Sequence, residues 1–213
     1  MPKKKKITKK EKQPEQPKVN PIQPAQDNLN ANNQFCSVLH ATFFEPKQCD
    51  AIVQACVEEL WMSGDTIGGG VNKKIRNVEQ QVLPINQQGW PLTRILELGK
   101  QANNARFKFD VQGFLDVDAP MIMKYTKGGH YDWHVDTGNS VCHRKLSFTI
   151  QLSDDKDYVG GDVEFIGTKV DTKAFRQKGV CIIYPSFLPH RVSKVTKGTR
   201  HAIVGWIHGP TFR

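Results

Sequence analysis

From Phe107 onward the chain breaks into seven short apolar or alternating stretches, and this succession limits its fold more than any other feature. The stretches run Phe107 to Phe114, Ala119 to Tyr125, Lys145 to Leu152, Asp162 to Ile166, Gly179 to Tyr184, Arg191 to Val195 and Arg200 to Ile207. Gly128-Gly129, Gly160-Gly161, Pro185, Pro189 and Gly198 punctuate them, as turn residues punctuate strands. Before Phe107 the spacing is helical. Pro46 stands where a helix tolerates proline best, at its first position. Ile52, Val53, Cys56, Val57, Leu60 and Trp61 then recur at helical intervals until Gly64. A second helix is expected after Pro91, carrying Leu92, Ile95, Leu96 and Leu98 and ending near Asn103-Asn104. Helices followed by about seven short strands predict an α+β, mainly β fold: a double-stranded β-helix (jelly roll) core with N-terminal supporting helices.

A chain of 213 residues, 38% of them hydrophobic, suffices for one such domain plus a tail. Residues 1–34 are rich in Lys, Pro, Gln and Asn, with almost nothing to bury, so a disordered basic tail is expected there and a folded domain over 35–213. Residues 1–35 carry +5 of the net +9, which leaves only +4 for residues 36–213. The run Pro2-Lys-Lys-Lys-Lys6 reads as a nuclear address, as a tether for an anionic polymer such as nucleic acid, or simply as solvated charge. No apolar run approaches a membrane span, and the lysine-rich start lacks the apolar segment of a secretory signal. An intracellular, cytoplasmic protein is therefore expected, nuclear if the lysine run is an address. Five scattered cysteines without a Cys-x-x-Cys pair indicate neither a disulfide framework nor a cysteine zinc site, and Cys49 and Cys56 are expected as buried thiols. Gly68-Gly-Gly70 lacks the lysine-serine pair and the helix of a phosphate loop.

The chemistry concentrates in His134-Val-Asp136, His190 and Arg200. Residues two apart on a strand point to the same side, so His134 and Asp136 can grip one ion from a strand or its end. His190 comes 54 residues after Asp136 and must be returned by a neighbouring strand. Two imidazoles and one carboxylate are the ligand set of a non-haem Fe(II) site with open positions. Fe(II) prefers about six ligands, so three protein ligands leave room for a chelating 2-oxo acid and for dioxygen. A fourth protein ligand would close the metal, as in structural zinc sites. The second carboxylate of 2-oxoglutarate would be buried, and a guanidinium fork offsets that cost with two parallel hydrogen bonds. Arg200 is placed for this, sharing a strand face with Ala202, Val204 and Trp206. Lys197, beside Gly198, is a rival expected to lie in a turn.

Residues 36 to 208 resemble the prolyl 4-hydroxylase-like branch of the 2-oxoglutarate/Fe(II) dioxygenases, and most closely its small microbial members. The resemblance is carried by Tyr125-Thr-Lys-Gly128, Tyr131-Asp-Trp-His134-Val-Asp136, Arg144-Lys-Leu-Ser147 running to Leu152-Ser153-Asp154, and Gly160-Gly161-Asp-Val-Glu-Phe165. Tyr184-Pro185-Ser186, His190-Arg-Val192, Val195-Thr196-Lys-Gly198-Thr-Arg200 and Trp206 continue it, and Arg76-Asn77 and Asn103 to Asp110 also fall in place. It implies Fe(II) on His134, Asp136 and His190, 2-oxoglutarate on Arg200, and Tyr125 hydrogen-bonded to that co-substrate. It further implies a tryptophan near the site at Trp206, and turnover supported by L-ascorbate. One departure stands out: many members carry an aromatic residue, often tyrosine, where this chain has Gln151. Gln151, or Thr149 on the same strand face, is the expected substitute donor.

The expected activity is hydroxylation of a peptidyl residue, with proline favoured, releasing succinate and CO2. The partner is then a protein or peptide containing proline. Two alternatives remain: a nucleic-acid oxidative dealkylase, and a non-catalytic module that binds metal or nucleic acid. The dealkylases typically carry a second arginine about six residues beyond the first, where this chain has Trp206. His40, His130, His143, His201 and His208 lie off the pattern, and Arg76 is expected in a surface ion pair.

Overall fold

The computed structural model describes residues 23–24, 38–66, 70–85, 89–168 and 170–212. The expected tail, apart from Gln23–Pro24, lies outside the described residues, as do Cys36 and Gly68-Gly69. In chain order the strands are β1 (Gln23–Pro24), β2 (Leu39–Thr42), β3 (Met62–Ser63), β4 (Arg76–Asn77), β5 (Glu79–Val82), β6 (Met121–Tyr125) and β7 (His130–His134). They continue with β8 (Arg144–Gln151), β9 (Tyr158–Val159), β10 (Val163–Phe165), β11 (Val180–Pro185), β12 (His190–Val192), β13 (Lys197–Gly198) and β14 (Arg200–His208). The α-helices are α1 (Pro46–Gln54), α2 (Leu92–Ala102) and the short α3 (Thr172–Arg176).

Antiparallel pairing orders one sheet as β1-β2-β11-β8-β14-β6-β5-β3 and a second as β10-β12-β7-β4, with β9 and β13 paired apart. This is the jelly-roll core expected, with α1 and α2 against the larger sheet. The reason is legible in β8, whose eight residues are all buried. Its side chains alternate between two faces. Leu146, Phe148 and Ile150 join Cys49 and Ile52 of α1, Ile95 and Leu98 of α2, and Ile203 and Ile207 of β14 in the main core. Ser147, Thr149 and Gln151 point the other way, and there Ser147 pairs with Trp206 and Tyr184, Thr149 with Val204 and Ile182, and Gln151 with Ala202. One sheet face is thus bolted to helices, and on the opposite face β8 sets the polar row Ser147, Thr149 and Gln151 among apolar neighbours such as Ile182, Tyr184 and Val204.

Two expected elements differ. The stretch Phe107 to Phe114 is not a strand: α2 runs into a wide turn over Asn103–Phe107. The buried Asn103 amide then satisfies the backbone of Phe109 on both sides, accepting at 2.9 Å and donating at 2.8 Å, in place of a ladder partner. Only Gly113 bridges to His208. The first helix stops at Gln54 instead of running to Gly64. The buried Gln81 side chain explains it, because it accepts from Val57 N at 3.2 Å and donates to Val57 O at 3.3 Å, holding that residue extended. Cys49 is fully buried and burial pushes its thiol up to about 11, whereas Cys56 is half-buried. Among the described residues no helix is long and apolar enough to cross a membrane.

Candidate functional site

His134 ends β7, His190 opens β12, and the two stand directly opposite each other in the ladder between these strands. Asp136 follows just beyond β7, where its N–H donates to Ser186 O at 2.8 Å. The three side chains converge so that one ligand atom of each lies within 4.8 Å of the others. His134 Nε2 is 3.6 Å from Asp136 Oδ1, and His190 Nε2 is 3.4 Å from Asp136 Oδ2. Each imidazole also has a backbone carbonyl at Nδ1: Asp132 O at 2.7 Å for His134 and Leu188 O at 2.9 Å for His190. A carbonyl only accepts, so Nδ1 carries the proton and, in the neutral ring, Nε2 keeps its lone pair facing Asp136. Burial, and then the facing His190, push the His134 imidazole down to about 4. Burial alone would raise the Asp136 carboxyl, but His190, His134 and the Ser147 hydroxyl together hold it below the usual carboxylate range. Two ring Nε2 atoms and one carboxylate thus stand on one side of a cavity, a donor set that fits Fe(II).

Neighbours fix these donors. Ser147 Oγ donates to Asp136 Oδ2 at 2.7 Å and lies 3.1 Å from Ser186 Oγ. Arg144 Nη1 donates to Asp136 O at 3.2 Å. The Tyr131 ring stacks on His134 at 3.5 Å between centroids, and Tyr184 meets His190 edge-on at 4.8 Å. Partners of this kind orient ligands, and their loss typically costs about 10–100-fold in metal affinity. Ser147→Ala should therefore weaken Fe(II) binding by that order while leaving the fold intact, as read by metal titration beside a thermal melt. Unchanged metal affinity would deny Ser147 this role.

The triad borders a cavity of about 320 Å³ that Tyr125, Thr149, Tyr184, Arg144 and Trp206 also line. Thr149 hydrogen-bonds Tyr184. Arg144 pairs with Asp118 through two hydrogen bonds of 2.7 and 2.6 Å, and its guanidinium lies 3.4 Å from the Trp206 ring centroid. His208 Nε2 stands 2.8 Å from Asp118 Oδ2. Burial would raise the Asp118 carboxyl, but the hydrogen bonds from His208 and Arg144 prevail and hold it at about 2. Asp118, His143 and His208 are also close enough to hold an ion. There, however, the carboxylate is already spent on a guanidinium, which would repel a cation.

Arg200 is 2% exposed and stands opposite Tyr125 in the ladder between β14 and β6, its guanidinium 5.3 Å from that ring. No carboxylate among the described residues lies within ion-pair distance of it. Its Nε donates to Gln151 Oε1 at 3.1 Å. Gln151 Nε2 donates to Ser153 O at 3.2 Å and to the Tyr158 hydroxyl at 2.9 Å. Both amide hydrogens of Gln151 are therefore committed inside the protein, and neither is left for a co-substrate. Lys197 lies exposed on β13, away from this pocket. Arg76 makes the expected ion pair, 4.0 Å from the exposed Asp65, but its own side chain is only 12% exposed, donates to Gln80 Oε1 at 2.7 Å and to Asp65 O, and lies over the Tyr131 ring. Sequence reasoning missed Ser147 and Tyr131 as site residues. Ser147 was within reach, because it shares a strand face with Thr149 and Gln151.

A profile described as the 2OG-Fe(II) oxygenase superfamily matches residues 120–208. A PKHD-type hydroxylase of Prochlorococcus marinus is 40% identical over 174 residues, covering 76% of this chain and 74% of that protein. A PKHD-type hydroxylase of a Synechococcus species is 43% identical over 88 residues, 41% of this chain and 40% of that protein. Among solved structures, a Trichoplax adhaerens prolyl hydroxylase in complex with a hypoxia inducible factor oxygen degradation domain peptide fragment shares the fold. Its TM-score is 0.67 at 16% identity, covering 84% of this chain and 87% of that one. Strand order, a His-Asp-His cluster suited to Fe(II) and these likenesses converge, and the chain belongs to the 2OG-Fe(II) oxygenase superfamily as a prolyl 4-hydroxylase-like dioxygenase that uses Fe(II), 2-oxoglutarate and O2.

Proposed function

We propose that residues 35–213 form a catalytic domain that hydroxylates a peptidyl residue, proline above others, with release of succinate and CO2. In this reading His134, Asp136 and His190 hold Fe(II), Arg200 receives the distal carboxylate of 2-oxoglutarate, and Tyr125 and Thr149 line the space between. When bound together, the metal, 2-oxoglutarate and dioxygen supply the oxidation that inserts one oxygen atom into a C–H bond. The protein's share is placement and shelter. Tyr131 and Tyr184 brace the two imidazoles, Ser147 and Arg144 hold Asp136, and the buried wall of β8 and β14 keeps water from the co-substrate end.

The observation that carries the peptidyl reading is the Arg144–Trp206 stack in the cavity that also holds the ligand triad. A flat indole suits an apolar ring such as that of proline, and a guanidinium held by Asp118 suits a peptide carbonyl. The peptide complex of the Trichoplax relative accords with it. The test incubates the full chain with Fe(II), 2-oxoglutarate, ascorbate and air, offering a proline-containing peptide library in one arm and methylated DNA in the other. Mass spectrometry should find one added oxygen on proline, with matching succinate. Demethylation of DNA without peptide oxidation would replace this reading with the dealkylase one. Absence of succinate in both arms would leave only a binding module.

A further inference from the structure

Resting on the peptidyl reading above, we propose that the cavity selects a proline preceded by a carboxamide residue, that Gln80 reads this carboxamide, and that the chain's own residues 13–24 are a substrate. The sequence supplies the first observation. Pro14, Pro17, Pro21 and Pro24 follow Gln13, Gln16, Asn20 and Gln23, whereas none of the other eight prolines follows a Gln or Asn. Those eight include Pro46 at the start of α1 and Pro185 at the end of β11, whose places the fold itself explains. Of the four amide-proline pairs, Gln23–Pro24 falls within the described residues, and it forms β1 against β2, with Gln23 opposite His40 and Pro24 opposite Leu39. Next to β2 comes β11, which carries Tyr184 against His190. Neighbouring strands lie about 4.8 Å apart, so this segment is attached roughly 10 Å from a strand that walls the ligand cavity. Pro14 stands nine residues before Gln23, and nine residues extend to about 30 Å. Attachment within one chain makes the encounter intramolecular, at an effective concentration of about millimolar.

The cavity holds the complementary group. Gln80 stands on β5 opposite Met123, is 8% exposed, and lines the same cavity as His134, Asp136 and Trp206. Arg76 Nη2 donates to its Oε1 at 2.7 Å. An arginine only donates, so that atom is the oxygen, and the orientation of the amide is fixed. The Gln80 nitrogen keeps two hydrogens and donates to no described residue. Its oxygen keeps a second lone pair. A substrate carboxamide satisfies both at once, accepting from the Gln80 nitrogen and donating to the Gln80 oxygen. A carboxylate could only accept, and an alanine could do neither. The residue after the carboxamide then falls to the Trp206 indole that the peptidyl reading gives to proline. The reaction balances without any further reagent. One oxygen atom of O2 enters a proline C–H bond, whose hydrogen stays on the new hydroxyl. The other oxygen atom ends in the new carboxylate of succinate as CO2 leaves. Proline and 2-oxoglutarate each give up two electrons, and O2 takes all four.

The experiment uses the full chain with Fe(II) and 2-oxoglutarate, exposed to air, quenched, cut after lysine and weighed by mass spectrometry. The fragment of residues 13–18 should gain oxygen on Pro14 or Pro17, with matching succinate, while Pro46 and Pro185 stay unmodified. A second arm offers two synthetic peptides: residues 10–24, and the same peptide with Gln13, Gln16, Asn20 and Gln23 changed to alanine. The amide peptide should be hydroxylated with a kcat/KM about fivefold higher, the weight of a net hydrogen bond. Gln80→Met, close in volume and without the amide, should erase that ratio. Both peptides meet the same variant, so a general loss of folding leaves the ratio unmoved. Oxygen on a library peptide but none on residues 13–24 overturns the inference and leaves the peptidyl reading standing. Equal use of the two peptides by the parent, or a preference that survives Gln80→Met, overturns the role of Gln80. Oxygen on no proline at all would overturn the peptidyl reading, and this inference with it.

Discussion

Asp136→Ala should abolish succinate formation and lower Fe(II) affinity by more than about 100-fold, since loss of a mere supporting hydrogen bond already reaches that order. Asp136 is the one anionic member of the triad, and its two oxygens stand 3.6 and 3.4 Å from the two Nε2 atoms. Without it, two neutral imidazoles remain to hold a doubly charged ion. The local chain should survive, because Asp136 N–H still donates to Ser186 O and Arg144 still reaches the Asp136 carbonyl. The loss thus falls on the metal and not on folding. Calorimetric titration with Fe(II) under nitrogen, beside a melt of the metal-free chain, separates the two. Asp136→Asn, which keeps an oxygen without the charge, should fall between. A fully active alanine variant would refute the ligand assignment.

What the sequence revealed of this site, and what it hid, divides along a physical line. Apolar periodicity reports burial, so β6, β8, β11 and β14 were visible, as was the helical start at Pro46. Elements whose backbones are tied by buried polar side chains were not. Gln81 ends α1 by bonding Val57, and Asn103 replaces a ladder at Phe109; both look, in sequence, like ordinary polar residues. The strand β7, His-Tyr-Asp-Trp-His, escaped because its residues are half-buried or exposed and show no apolar alternation, although the spacing of His134 and Asp136 had already demanded a strand end there. The convergence of His134, Asp136, His190 and Arg200 was readable because ligand chemistry restricts residue types. The bond from Gln151 Nε2 to the Tyr158 hydroxyl was not readable, because it joins β8 to the two-residue β9, which carries no periodic signal. Gly160-Gly161 was read as punctuation and as part of the resemblance; in the structure Gly161 takes φ +68° where a Cβ would stand 3.0 Å from Arg200 Cδ and 3.3 Å from Tyr158 Cε2.

Arg200→Lys should raise the 2-oxoglutarate requirement about ten- to a hundredfold, the weight of one hydrogen bond to a charged group, and change the rate at saturation far less. The reason is geometric before it is electrostatic. The guanidinium presents Nε to Gln151 Oε1 at 3.1 Å, and in the proposed co-substrate site its two outer nitrogens form the fork for the carboxylate. An ammonium radiates three donors from a point and cannot keep the Gln151 bond while gripping both oxygens of a carboxylate. Burial adds to this: a lysine at a position 2% exposed, with no carboxylate nearby among the described residues, has its charged form disfavoured. The chelating end of the co-substrate is untouched, which is why the deficit should vanish at saturation. The same variant makes a second, independent claim. Ligand-linked stabilisation at 100 times the parent dissociation constant is about 2.7 kcal/mol, and a hundredfold weaker ligand at that concentration leaves about 0.4 kcal/mol. The melting shift induced by 2-oxoglutarate should therefore nearly disappear. The ligand-free variant should melt no lower than the parent, because the arginine it replaces is a buried charge waiting for its anion. A lysine variant with the parent's requirement and the parent's melting shift would remove Arg200 from the co-substrate site.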